Sequence, residues 1–72
     1  MRLTLNQEAL LRRIVATNGG GASISDDRRT FLALHKKGLA HQKLGNAYAA
    51  VHTRAGLDWV RANPRVAQVA GQ

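Results

Sequence analysis

Between Thr4 and Thr17, in "TLNQEALLRRIVAT", apolar residues recur at helical spacing: at about 100° per residue Leu10, Leu11, Ile14 and Val15 share one face, while Arg12, Arg13 and Ala16 point away. Thr4 with Gln7 makes a capping-box pattern, and Glu8 sits in the first turn, where the helix dipole favours an anion. The pattern predicts a helix over 4–17. It stops at Asn18 and Gly19, Gly20 and Gly21, which are strong helix breakers.

Ala22 to Ile24 is long enough only for a minor strand or an extended connector. Ser25 is a good N-cap, and Asp26 and Asp27 would then occupy the first turn of a second helix over 26–37. Its apolar face is Phe31 and Leu34 with Thr30 beside them; Arg28, Arg29, Leu32, His35 and Lys36 collect on the other side. Gly38 supplies a left-handed residue past the helix end, and Leu39 the apolar contact that closes a Schellman-type terminus.

Farther on, "LAHQKL" and "AYAAVH" flank Gly45-Asn46, and a pair with glycine first suits a type II′ hairpin turn. The simplest register sets Leu44 against Ala47, Lys43 against Tyr48 and Leu39 against His52. Thr53 caps a third helix, "RAGLDWVRA", with Ala55, Gly56, Trp59 and Val60 inward and Arg54, Asp58 and Arg61 outward. Asn63-Pro64 ends it, because a residue before proline is driven out of the helical region. The chain thus reads as one α+β domain over 1–63, ordered helix, short strand, helix, β-hairpin, helix. Residues 64–72 lack a clear period and read as a flexible or short docking tail.

Composition narrows the class. With 72 residues the core must be small, and with no cysteine there is neither a disulfide framework nor a thiolate metal site. A reducing, cytoplasmic setting fits. The apolar runs fall far short of a membrane span, and "MRLTLNQEAL" lacks a signal-peptide core, so a soluble, unprocessed chain with no membrane role is expected.

Eleven Lys and Arg against four Asp and Glu give a formal charge of +7, which favours an acidic partner. Between Arg28 and Lys43 stand Arg28, Arg29, Lys36, Lys37 and Lys43, His35 and His41, and no acid. That window is the electrostatic centre of the chain.

The element order, with "LHKKGLA" leading into a hairpin and then "TRAGLDWV", resembles the winged helix-turn-helix superfamily, in particular its small bacterial and phage members. The matching features are Lys37, Gly38 and Leu39 closing the second helix, a wing, and Thr53 to Gly56 opening the last helix. The resemblance covers about residues 3 to 62. It implies a small winged helix that binds double-stranded DNA, as a transcriptional regulator or DNA-architectural factor. The second helix would enter the major groove with Arg28, Arg29, His35 and Lys36 outward. Lys43 to Tyr48, including Asn46, would form the wing against phosphate or the minor groove.

Leu32, amid polar neighbours, could meet a thymine methyl group or anchor a protein partner inside a polar rim. Only "NGGGASIS" separates the first two helices, where a full winged helix-turn-helix has a positioning helix. That trimming sustains the alternative of a module that grips, and inhibits, a protein. RNA is disfavoured by the lack of an aromatic stacking platform. A homodimer stays open, through the N-terminal segment, the outer side of the first helix, or Val66 and Val69.

Among individual residues, Tyr48 either stacks on a sugar or base or covers a cross-strand neighbour. Trp59 reads as core, and His52 as a packed, hydrogen-bonded histidine. His35, His41, His52 and Asp58 match no compact ligand spacing, so no metal or cofactor is expected. Without a meaningful Ser/His/Asp order, a paired-carboxylate cleft or a P-loop, no catalytic residue is expected either.

Overall fold

In the computed structural model, which describes residues 2–64, Thr4 opens α1 (Leu5–Ala16) with both halves of a capping box. Gln7 N donates to Thr4 Oγ1 and Thr4 N to Gln7 Oε1, each at 3.2 Å. Leu10, Leu11 and Ile14 are buried, and Val15 packs half-buried beside them. Arg12 departs from the expectation that it points away. Its guanidinium holds Glu8 Oε1 at 3.1 and 3.2 Å, donates to the Asn63 carbonyl, and lies 5.6 Å from the Trp59 ring centroid. The reason is tertiary: the last helix packs along α1, and the arginine stem covers apolar surface while its head finds partners.

After Asn18, in the left-handed region at φ 53°, the chain forms β1 (Ala22–Ser23) and then α2 (Arg28–Lys36). The second helix starts later than expected, and Ser25 does not cap it. Ile24 is buried, and a turn closed by Asp27 N on the Ile24 carbonyl at 3.0 Å occupies the intervening residues. Asp27 takes the N-cap position without a side-chain cap bond, because its carboxylate pairs with Arg13 at 2.8 Å. Ser25 Oγ lies 3.3 Å from Ser23 Oγ instead. Phe31 and Leu34 are buried as expected.

The other end of α2 is a full Schellman motif. Gly38 has φ 76°, its N–H donates to His35 O at 3.0 Å, and Leu39 N donates to Leu34 O at 3.0 Å. Leu39 and Leu34 then meet in the core.

Strands β2 (Ala40–Lys43) and β3 (Asn46–His52) form the hairpin, and the antiparallel sheet has the order β1-β3-β2. The register differs by one residue from the simplest expectation. Ala40 opposes His52, His41 opposes Val51 and Gln42 opposes Ala50; a bulge follows, and Lys43 opposes Asn46. The turn therefore uses Leu44-Gly45, with Gly45 at φ 83°, rather than Gly45-Asn46. A one-residue slip exchanges the faces of a strand. Only the observed pairing sets Ala40 and Ala50, 1% and 0% exposed, on the same core-facing side.

Thr53 caps α3 (Arg54–Ala62) by accepting from Gly56 N at 3.1 Å. Gly56 is buried and Trp59 and Val60 pack half-buried on the core, but Ala55 is exposed. The close seat of α3 at Gly56 turns its inward arc toward Leu57, which is half-buried in place of Ala55. His52 also departs from expectation: it is half-buried, yet its buried Nδ1 has no hydrogen-bond partner among the described residues. It lies on the core-facing side of β3, where the neighbouring alanines offer nothing polar. Val66, Val69 and the rest of the tail beyond Pro64 lie outside the described residues.

Candidate nucleic-acid interface

The outward side of α2 follows directly from the burial of Phe31 and Leu34. Arg28, Leu32 and Lys36 recur every fourth residue along one stripe, flanked by Arg29 and His35, and all five are exposed. Leu32 is 53% exposed. The His35 ring stacks on Phe31 with centroids 5.8 Å apart, and its Nδ1 lies 3.2 Å from the Ala40 carbonyl oxygen. A carbonyl only accepts, so in this bond Nδ1 carries the hydrogen and Nε2 is left as the acceptor of the neutral ring. His35 is thus held by both α2 and β2.

Arg28, Phe31, Leu32, His35 and Gln42 line an open groove between α2 and β2 of ≈ 240 Å³. Gln42 is the residue that sequence reasoning missed. Nothing in "AHQKL" distinguishes it; only the register sets it on the α2 side, opposite Ala50. Its Nε2 donates to the Ala47 carbonyl at 3.1 Å, which orients the amide and leaves Oε1 as an acceptor.

The hairpin residues separate from this group. Lys43 reaches away from α2 and donates from Nζ to the Gly20 carbonyl at 2.8 Å. Asn46 Oδ1 accepts from Tyr48 N at 2.9 Å, a local bond that shapes the turn. Tyr48 is 64% exposed while its carbonyl accepts from Ile24 N at 2.9 Å. The structure therefore brings Arg28, Leu32 and His35 together with Gln42, keeps Arg29 and Lys36 on the same helix, and leaves Lys43, Asn46 and Tyr48 on the hairpin.

The acids are distributed unevenly. Glu8 pairs with Arg12 at 3.1 Å, Asp27 with Arg13 at 2.8 Å and Asp58 with Arg54 at 3.5 Å. Each of these arginines lies on α1 or α3. Among the described residues, Arg28, Arg29, Lys36 and Lys37 form no ion pair with any of these acids. Asp26, two residues before the helix begins, is exposed. A polyanion approaching α2 would thus meet cations whose charge is not already neutralised.

Among the described residues no group of three His, Cys, Asp or Glu side chains is placed to hold a metal ion, and no helix is long and apolar enough to cross a membrane. The described residues define a small α+β domain: three helices around a three-stranded antiparallel sheet, with one helix presenting an unpaired basic face. Comparison with protein-family models, curated proteins and solved structures finds no match to this chain.

Proposed function

We propose that the chain is a small winged-helix protein that binds double-stranded DNA, with α2 in the major groove and the β2–β3 hairpin against phosphate or the minor groove. The observation that carries this reading is the pairing of acids: three serve arginines of α1 and α3, and the α2 cations are left for a partner. Lys and Arg side chains on α2 displace condensed counterions and set affinity. Leu32, Gln42 and His35 present the apolar surface and hydrogen-bonding atoms that base edges require. Such a domain acts as a transcriptional regulator or an architectural factor.

A gel-shift titration against random duplex tests the reading. Binding at low salt that weakens steeply as salt is raised supports it, since each neutralised phosphate contributes a log–log slope of about −0.9. Absence of binding at low salt rejects it.

A second reading has its own support. The single turn from Ile24 to Asp27 stands where a positioning helix would dock a recognition helix, and Leu32 is an exposed apolar residue inside a basic rim. Both suit a module that grips a protein partner. A pull-down from lysate with and without nuclease separates the two: a nuclease-resistant protein partner favours the second.

A further inference from the structure

The tip of the hairpin carries an apolar side chain for which the fold has no use. Leu44 is 99% exposed, in the turn between the opposed residues Lys43 and Asn46. Turns favour Gly, Asn, Asp, Pro and Ser, and the neighbouring Gly45 at φ 83° already meets the conformational need. A leucine at this position neither shapes the turn nor removes surface from water. Tyr48, also exposed, adds a second large side chain to the same hairpin.

The tip is braced. Lys43 Nζ donates to the Gly20 carbonyl at 2.8 Å, Asn46 Oδ1 accepts from Tyr48 N at 2.9 Å, and Gln42 Nε2 donates to the Ala47 carbonyl at 3.1 Å. Leu44 therefore projects from a fixed support. The segment that carries it is also free of acids: no Asp or Glu occurs from Arg28 to Leu57.

We propose that Leu44 is a wedge that enters between base pairs from the minor groove and bends the duplex. The proposal rests on the DNA-binding reading and adds an activity to it. An apolar side chain inserted at one step unstacks it, widens it on the minor-groove side and kinks the duplex toward the major groove, and the bent duplex then contacts more protein surface. Asn46 stands beside the wedge, with its Nδ2 hydrogens available to the adenine N3 and thymine O2 acceptors of the minor-groove floor. Pyrimidine–purine steps, which unstack most readily, are the expected points of entry.

The experiment is energy transfer between fluorophores at the two ends of a short duplex containing a TA step, titrated with the full chain at low salt. Wild-type protein should raise the transfer as the ends approach, and 2-aminopurine placed at the step should brighten as it unstacks. Leu44→Ser should bind with the bend and the brightening lost, while Leu44→Met, an apolar side chain of similar volume, should retain both. Thermal unfolding of the variants should match wild type, because the side chain touches water alone. If Leu44→Ser loses affinity together with the bend and Leu44→Met keeps both, the wedge stands, its contact area being part of the affinity. Binding with no change in transfer, or an unchanged bend with Leu44→Ser, overturns the wedge and leaves the DNA-binding reading standing. No binding at all removes the DNA reading and the wedge with it.

Discussion

The carbonyl of Leu39 lies against the α-carbon of Gly56, so close that any side chain at position 56 would overlap its oxygen and crowd Leu11 Cδ1 at 3.2 Å. The same carbonyl accepts from Thr53 N at 3.1 Å, and the Thr53 hydroxyl donates to the Gly38 carbonyl at 2.6 Å while accepting from Gly56 N. Gly38-Leu39 and Thr53 to Gly56 are therefore two halves of one joint. It locks the C-terminal end of α2 to the start of α3 and so sets the direction in which the basic face points.

Gly56→Ala should destabilise the protein by about 1–3 kcal/mol, since the obstructing atoms are backbone and cannot swing aside as a flexible side chain would. In a domain of this size each kcal/mol corresponds to roughly 4–8 °C in Tm. Thermal unfolding followed by circular dichroism measures it. A Tm within about 2 °C of wild type would mean that α3 is not seated on Leu39.

Thr53→Val keeps the shape of the side chain and removes the hydroxyl, which both caps α3 and holds Gly38. The expected loss is about 1–2 kcal/mol, read as a lower urea midpoint with unchanged slope. Thr53→Ser should recover most of it. If serine and valine behave alike, the hydroxyl is not what joins the two helices.

Arg28→Ala combined with Lys36→Ala should weaken binding to random duplex far more than Arg54→Ala combined with Arg61→Ala, although each pair removes the same charge. The first pair should also flatten the log–log salt dependence by about 1.8, if each residue neutralises one phosphate. Equal losses from the two pairs would remove α2 from the interface.

Asp26→Asn should strengthen duplex binding by about two- to fivefold at low salt, because an exposed carboxylate next to the first turn of α2 repels phosphate. The gain should shrink near physiological salt as the charge is screened. Asp27→Asn should add a small loss of stability, about 1 kcal/mol or less, from the exposed ion pair with Arg13. Weaker binding by Asp26→Asn would instead assign that carboxylate a contact of its own, such as accepting a hydrogen bond from cytosine.

Much of the architecture was legible in the chain because its signals are local. The Thr4/Gln7 box, the glycines after Asn18, the Gly38-Leu39 terminus and the Thr53 cap each act within a few residues, and each appears where expected. The hairpin register was not legible. Gly45-Asn46 is a good turn locally, but the register answers to the core, and the slip to Leu44-Gly45 brings Ala40 and Ala50 to one face. Of the candidate site, the α2 residues could be read from period alone, because burying Phe31 and Leu34 leaves Arg28, Leu32 and Lys36 outside. Gln42 could not, since its place in the groove follows from that register.

By itself the sequence determined which segments coil, which extend, where the helices stop, and that positive charge concentrates between Arg28 and Lys43. These follow from dihedral preferences, caps and spacing, whose range is one or two turns of chain. Only the tertiary structure decided which charges remain available. Glu8 is on the same helix as Arg12, but Arg13 and Asp27 meet because α1 packs beside the start of α2, and Arg12 reaches Trp59 because α3 packs on α1. An ion pair needs its atoms within about 4 Å, a distance set by how helices pack and not by how residues are ordered.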